Sequence, residues 1–173
     1  MKYHDEEWGR PTHDDQVHFE FLILETFQIG LNWDLILKKR AAFREAFANF
    51  QPERVARFTE DMIHRLLKNQ AIIRNERKIR AAVENAQKFI EIQEHYGTFD
   101  AYLWGFVDNI PIINRFQTEA EVPAHTPLSK TLSKDLKSRG FKLVGPTVLY
   151  SHMQAVGLVS DHLVTCPFHP DHL

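Results

Sequence analysis

The chain has 173 residues, which suffices for one domain with its own hydrophobic core. Its formal net charge of −2 excludes a generally polycationic protein, and no apolar run approaches the ~20 residues that a membrane-spanning helix needs. A single cysteine excludes an internal disulfide. Together with a polar start that lacks an apolar signal region, it predicts a cytoplasmic protein.

The first part of the chain predicts short helices arranged around one central helix. Residues 1–13 are polar, rich in histidine and without periodicity. Asp14 or Asp15 is a suitable N-cap for a helix that is apolar on nearly every side, which predicts a position at the centre of the core. That helix breaks at Gly30, and a second one follows with apolar positions as far as Phe50.

Helix signals continue towards the C-terminus with one interruption. Four further helices are predicted to start at Pro52, Thr59, Asn75 and Thr98. Residues 108–128 contain three prolines and few periodic apolar residues, which predicts a connecting segment with one strand-like piece, I-P-I-I-N. Ser129 then caps a helix that stops at Gly140, and Pro146 opens a helix that stops at Gly157. We therefore predict an all-α fold, a bundle of about eight short helices.

The segment E-T-F-Q-I-G-L-N-W places an acid and a large aromatic on either side of the first helix break. Glu25 lies in the last turns of an apolar helix, Leu31 follows the break at Gly30, and Trp33 begins the next helix. The residues alone leave two interpretations open. Glu25 and Trp33 either form part of a binding site, or they are a locally paired buried acid and an ordinary core residue.

A second segment, at about 129–157, predicts two helices joined by a tight loop between Gly140 and Gly145. Gly140 can adopt the positive φ that ends a helix, and the free amides after Gly145 form an anion site suited to a DNA phosphate. The segment is locally basic, with one acid, Asp135, against Lys130, Lys134, Lys137, Arg139 and Lys142. The pattern favours a helix–hairpin–helix, and an ordinary helical corner with a solvated lysine face is the alternative.

The blocks Y-H-D-E-E-W-G, Q-I-G-L-N-W, I-L-K-K-R, A-I-I-R-N-E-R-K-I, L-K-S-R-G-F-K-L-V-G-P-T and Y-S-H-M-Q-A-V-G-L-V-S-D-H occur in this order along the chain. In these blocks the chain resembles the 3-methyladenine DNA glycosylase I family, bacterial alkylation-repair enzymes of the helix–hairpin–helix superfamily. The resemblance covers essentially all of residues 1–173 and implies a single helical domain of that type. Three features depart from the family pattern: Asn32 in place of the usual Ser, bulky Phe27 and Ile29 beside the turn, and an N-terminus that begins late.

The resemblance implies that Glu25 is the carboxylate of a pocket for a flipped-out base, with Trp33, Trp8 and Tyr3 as aromatic walls. The chemistry agrees, since N3-alkylated adenine in DNA is a cation, which a carboxylate and indole faces attract. Such a base is already a good leaving group and needs little acid catalysis. A core role for the aromatic residues and local pairing of Glu25 are the alternatives.

The resemblance also implies a DNA-contacting surface. Gly30 and Leu31 correspond to a wedge that enters the gap left by the flipped base, and Gly140, Lys142 and Gly145 to the hairpin that binds the DNA backbone. The alternative for the first pair is a plain helix–helix corner. Asp161 lies roughly where related enzymes carry a water-activating aspartate, which makes it a weak candidate for that role. Phosphate contact or simple solvation are both open for Lys38, Lys39 and Arg40.

A structural zinc is implied by the same resemblance, with ligands matching His4, His162 and Cys166. His162 and Cys166 are four residues apart, so a helical turn would direct both side chains to one ion, although such pairs usually bind no metal. The family's fourth ligand is a cysteine upstream of the Y-H-D block, which this sequence does not contain. Three outcomes stay open: the chain lacks native upstream residues, the site is empty, or the fourth ligand is His13, His169 or His172.

The sequence thus predicts a monofunctional, monomeric repair glycosylase that flips out 3-methyladenine and hydrolyses its bond to DNA. Its partners are alkylated double-stranded DNA and the free base. No catalytic cofactor and no membrane are expected. The alternatives are a non-catalytic helix–hairpin–helix module that binds or senses damaged DNA, and a helical interaction protein with an incidental lysine face.

Overall fold

The computed structural model describes all 173 residues and is mainly helical, which confirms the all-α prediction. No helix combines the length and the apolar character that crossing a membrane requires. Two-residue strands, β1 (Ile112–Ile113) and β2 (Val159–Ser160), form the one small sheet. The helices are α1 (Lys2–Glu6), α2 (Asp15–Gln28), α3 (Trp33–Lys38), α4 (Arg40–Ala46), α5 (Pro52–Val55), α6 (Glu60–Leu67), α7 (Glu76–Tyr96), α8 (Phe99–Trp104), α9 (Pro127–Ser138) and α10 (Pro146–Ala155).

Helix α2 lies at the centre of the core, as its apolar surface predicts. Every residue from His18 to Phe27 is buried, and the helix packs against α7, α8 and α10. Asp14 is the N-cap, because its carboxylate accepts hydrogen bonds from the backbone N–H groups of Gln16 and Val17. Glu25 lies one turn before the C-terminal end of α2, and its position is fixed because the helix is packed on all sides.

The helix predicted between Gly30 and Phe50 is divided in the structure. It breaks at Lys39 into α3 and α4, and a 3₁₀ turn follows at Ala48–Phe50. All three residues of that turn have positive φ, which a continuous helix cannot contain. The turn brings the ring of Phe50 parallel to that of Phe47, with centroids 6.1 Å apart, inside the core.

The N-terminal segment, which shows no periodicity in the sequence, contains the short helix α1 at Lys2–Glu6. None of the α1 residues is fully buried, so no apolar period marks the helix. Backbone hydrogen bonds attach the following segment to the end of α10, from Gly9 N to Gln154 O (2.8 Å) and from Thr12 N to Val156 O (3.0 Å). These bonds hold α1 over the C-terminal end of α2.

The strand-like piece predicted in I-P-I-I-N is β1, which pairs in parallel with β2. The second strand was not predicted, because two residues are too few to show an alternating pattern. The pair anchors the connecting segment 108–128 to the chain directly after α10.

The two helices predicted around Gly140 and Gly145 are present and pack against each other as α9 and α10. The predicted start at Ser129 is wrong, since α9 begins at Pro127 and its N-cap is Thr126. Ser129 lies one turn inside and completes a capping box, in which its Oγ accepts from the backbone N–H of Thr126.

Candidate active site

A cavity of about 310 Å³ opens between α1, the C-terminal end of α2, the start of α3, and α10. Tyr3, Trp8, Glu25 and Trp33, which are distant in sequence, lie together in its wall. The four residues predicted for the base pocket therefore share one cavity. The remaining lining residues are Met1, His4, Gln28, Asp34, Leu37, Ser151 and Gln154.

Glu25 is the buried acid of this cavity. It is 5% exposed, and its carboxylate makes no hydrogen bond or ion pair with another side chain. Burial raises the pKa of Glu25 to about 8, because desolvation penalises the ionised form. The local pairing considered as the alternative role for Glu25 is absent. A buried, unpartnered carboxyl in a cavity is a group that a cationic or hydrogen-bonding ligand can satisfy.

Aromatic rings share the cavity wall with Glu25. The Tyr3 ring packs against Trp33 with centroids 5.6 Å apart, and against Phe21 at 5.9 Å. Burial and the nearby charges of Glu25 and Glu7 raise the pKa of Tyr3, so its hydroxyl remains protonated and can donate a hydrogen bond. Neither Tyr3 nor Trp33 is fully buried in the core, which leaves ring surface available to the cavity.

Helix α10 contributes two cavity residues that the sequence did not single out, Ser151 and Gln154. They are three residues apart and therefore share one face of the helix. That spacing in Y-S-H-M-Q was the available signal. Asp34, also not predicted, adds a carboxylate from an exposed position in the first turn of α3.

Asp161, the weak candidate for water activation, is 1% exposed and does not line this cavity. Its carboxylate accepts hydrogen bonds from Asn114 Nδ2 (2.7 Å), Gln154 Nε2 (2.9 Å) and the hydroxyl of Tyr150. These donors occupy the oxygens that would have to bind a water molecule. Asp161 thus holds Gln154 in place, and its own side chain lies outside the cavity wall.

Gly30 and Leu31 form the turn after α2 and do not line the cavity, although Gln28 before them and Trp33 after them do. Gly30 is exposed with φ +76°, and Leu31 is half-buried against the core. Asn32 accepts a hydrogen bond from Asp34 N (2.7 Å) and so caps α3, a function that serine performs equally well. Phe27 lies entirely in the core, against Phe43 and Phe47. Phe27, although it departs from the family pattern, therefore does not line the cavity.

The loop between α9 and α10 is held rigidly from beneath. Asn85 of α7 exchanges two hydrogen bonds with the Lys142 backbone, at 3.0 and 2.8 Å, and Ser133 Oγ donates to Val144 O (2.7 Å). Gly140 has φ +93° and ends α9, whereas Gly145 has an ordinary φ of −67° and open space where a side chain would begin. The side chains of Lys130, Lys134 and Lys137 are exposed along α9, and that of Lys142 is exposed in the loop itself.

Arg139 does not belong to that free basic surface. Its guanidinium donates to the Asp135 carboxylate (2.8 Å) and to the hydroxyl of Tyr96 (2.7 Å), and it lies over the rings of Tyr96 and Tyr102. Its charge is neutralised locally. The lysines alone remain available for an anionic partner.

His4, His162 and Cys166 form one cluster, with a possible ligand atom of each within 4.8 Å of the others. His162 Nε2 lies 2.8 Å from the carbonyl oxygen of Trp8, and His4 Nδ1 lies 2.8 Å from a carboxylate oxygen of Asp5. Each histidine therefore keeps its other ring nitrogen for a metal, an arrangement usual at metal sites. Cys166 lies in a turn and not in the helical turn predicted for it.

The three histidines considered as a fourth ligand lie outside this cluster. His13 contacts Asp100 at 3.0 Å, and His172 Nε2 bonds to the carbonyl oxygen of Val164 at 2.8 Å. Both ring nitrogens of His169 are engaged, with Asn114 O and with Asp171 N. None of them completes the coordination.

The sequence model of the methyladenine glycosylase family matches residues 1–169. The chain belongs to this family. It is 43% identical over 170 residues to DNA-3-methyladenine glycosylase 1 of Escherichia coli, covering 98% of this chain and 91% of that protein. It is 43% identical over 167 residues to the DNA-3-methyladenine glycosylase of Haemophilus influenzae, covering 96% of this chain and 90% of that protein.

Solved structures of family members agree over nearly the whole chain. A crystal structure of 3-methyladenine DNA glycosylase I superposes with a TM-score of 0.95 at 44% identity, covering 98% of this chain and 93% of that one. The Staphylococcus aureus enzyme, whose structure addresses 3-methyladenine recognition, superposes with a TM-score of 0.96 at 38% identity, covering 99% and 92%. The family resemblance drawn from the sequence blocks is confirmed.

Proposed function

We propose that this protein is a DNA repair glycosylase that hydrolyses the N-glycosidic bond of 3-methyladenine in alkylated DNA. The observation that carries the proposal is the unpartnered Glu25 carboxyl in a cavity walled by Tyr3, Trp8 and Trp33. A protein that only binds DNA has no use for such a pocket. The relatives named as glycosylases, and the solved family structure in complex with 3-methyladenine, support the same substrate.

In this proposal the pocket selects the charge of the damaged base. The N3-alkylated adenine is cationic, so Glu25 in its ionised form attracts it, and stacking on Trp33 contributes ~0.5–2 kcal/mol of cation–π energy. The exposed carboxylate of Asp34 adds negative charge at the mouth of the cavity. The cation departs readily as a neutral base, which agrees with a cavity that Asp161 does not line and with its hydrogen bonds to Asn114, Tyr150 and Gln154.

DNA binding in this proposal uses two surfaces that stay predictions. The lysine-bearing loop between Gly140 and Gly145, with Lys142 at its tip, contacts the phosphate backbone as a helix–hairpin–helix. The turn at Gly30 and Leu31 enters the base stack beside the flipped nucleotide. We expect Lys142→Ala and Lys137→Ala each to weaken DNA binding and to reduce the salt slope by about one unit. Unchanged affinity and salt slope in both variants would remove the hairpin from the proposal.

We also propose that His4, His162 and Cys166 hold a structural zinc. The ion would cross-link α1 to the segment after β2, and so support Tyr3 and Trp8 on either side of His4. It would supply no catalytic chemistry. Metal analysis of the purified chain should find about one zinc per molecule, which Cys166→Ala should lose. A metal-free wild type with the same unfolding temperature before and after chelation would contradict the proposal.

The decisive experiment incubates the protein with methylated duplex DNA and measures free 3-methyladenine. The wild type should release the base, and Glu25→Gln and Trp33→Ala should each lose most of that activity. Glu45→Gln is the matched control, because Glu45 is exposed and makes no ion pair. DNA binding without base release would favour the damage-sensing module.

A further inference from the structure

A buried lysine from α7 lies beneath the turn that carries Gly30 and Leu31. The ammonium group of Lys78 donates hydrogen bonds to the carbonyl oxygens of Phe27 (2.9 Å) and Ile29 (2.6 Å). Lys78 is only 9% exposed. The two carbonyls belong to the C-terminal end of α2, where a helix leaves acceptors unpaired and its dipole is negative. The lysine thus connects two elements about fifty residues apart.

Lys78 is itself held in place, in the first turn of α7, where its backbone N–H donates to Asn75 Oδ1 at 3.0 Å. A further hydrogen bond holds the turn, because Gln28 Nε2 donates to the carbonyl oxygen of Leu31 at 2.9 Å. On the other side the turn is free, since a Cβ built on Gly30 meets no atom within 4 Å. Side chains of the protein therefore hold the backbone of the turn on one side, and the other side is open to a ligand.

A role for Lys78 inside the base pocket is excluded by its position. It does not line the cavity, and both carbonyl contacts direct its ammonium group to the backbone of α2 and the turn. Burial lowers the pKa of Lys78, so the ammonium is costly to keep there and its contacts must offset that cost. Its contacts can therefore affect the reaction only through the end of α2 and the turn that follows it.

We propose that Lys78 is a positioning residue that holds the Ile29–Leu31 turn rigid, so that Leu31 can enter the stack of duplex DNA. This inference rests on the proposed function, in which the turn is the wedge. If the turn were flexible, the stacking force between neighbouring bases would displace Leu31 and close the gap. Single-stranded substrate and free base require no such separation. Lys78 is therefore needed for duplex DNA and dispensable for recognition of the base itself.

The test compares Lys78→Met with Lys68→Met, which removes the same charge from an exposed position. Lys78→Met should reduce kcat/KM on duplex DNA about 10- to 100-fold. On a single-stranded oligonucleotide, and in the affinity for free 3-methyladenine, we expect changes of less than about twofold. Equal losses on both DNA forms, or no loss on the duplex, would overturn the proposal. If the methionine variant does not fold, Lys78→Gln retains one donor group and should show the same duplex-specific defect more weakly.

A second readout separates this inference from the glycosylase activity. 2-Aminopurine beside an abasic-site analogue in a duplex increases its fluorescence when a wedge unstacks it, without any bond cleavage. The wild type should produce that increase, Lys68→Met should retain it and Lys78→Met should lose most of it. Full retention by Lys78→Met refutes the role of the lysine. If the wild type unstacked the probe but released no base, the proposed function would be refuted and the positioning role of Lys78 would not be.

Discussion

Replacement of Glu25 by glutamine should stabilise the folded protein, and the gain should increase with pH. Burial raises the pKa of Glu25 from an ordinary value of 4.5 to about 8. Between these two values the folded protein holds a proton that the unfolded chain has released. The unfolded state therefore binds fewer protons, and the free energy of unfolding of the wild type falls as the pH rises through this window.

The size of the effect follows from the pKa difference. Each pH unit within the window costs up to about 1.4 kcal/mol, so Glu25 destabilises the wild type by about 3 kcal/mol at pH 7 and roughly 4 kcal/mol at pH 8. At pH 5 the cost is below about 1 kcal/mol. Glutamine keeps the shape and cannot ionise. The stability difference between Glu25→Gln and the wild type should therefore grow by about 3–4 kcal/mol from pH 5 to pH 8.

Urea unfolding at several pH values measures this difference directly, because all other titrating groups are common to the two proteins. The slope m should agree between them, which assigns the change to stability alone. Glu45→Gln, at an exposed position without an ion pair, should give a constant offset at all pH values. If the free energy of unfolding of Glu25→Gln ran parallel to that of the wild type from pH 5 to 8, this would falsify the claim that the empty pocket holds a protonated acid.

Three further predictions concern activity and packing. On duplex substrate, kcat/KM should rise about fivefold from pH 7 to 8 and level off above about pH 9, as Glu25 of the free enzyme ionises, and Glu25→Gln should lack this rise in a base-release assay. Gly157→Ala should cost at least about 3 kcal/mol in urea unfolding, because its Cβ would lie 2.1 Å from the carbonyl carbon of Arg10. Gly97→Ala, with equally positive φ but open space, should cost only about 1 kcal/mol. Asp161→Asn should lower the free energy of unfolding by about 1–3 kcal/mol in urea unfolding, since an amide cannot accept all the hydrogen bonds of the carboxylate.

The sequence predicted those parts of the fold that leave a strong local pattern. The unbroken apolar surface of α2 indicated a central helix, and each cap at Thr59, Asn75 and Thr98 marks the observed helix start. The start of α9 was misplaced because Thr126 and Ser129 are both good caps. Pro127 was the deciding signal, since proline favours the first position of a helix.

Other parts depend on contacts that no local pattern records. Helix α1 has no buried residue, and its place is set by backbone hydrogen bonds between the following segment and the end of α10. The positive φ values at Ala48–Phe50 serve the packing of phenylalanine rings in the core. The cavity likewise joins Tyr3 to Ser151 and Gln154, almost 150 residues away. The resemblance supplied the four main pocket residues, whereas the contribution of α10 required the tertiary structure.

In the proposed function, the raised pKa of Glu25 would also let the pocket select damaged over normal adenine. At pH 7 the carboxyl of the empty pocket is mostly protonated, and ionising it costs about 1.4 kcal/mol for a pKa of about 8. A cationic base offsets that cost through its attraction to the carboxylate and adds ~0.5–2 kcal/mol by stacking on Trp33. Neutral adenine provides neither contribution and leaves the carboxyl protonated. Once the glycosidic bond is broken, the released base is neutral and no longer stabilises the carboxylate. Glu25 can then regain its proton, which lowers the affinity for the product. Burial of a single carboxyl thus favours both binding of the damaged base and its release.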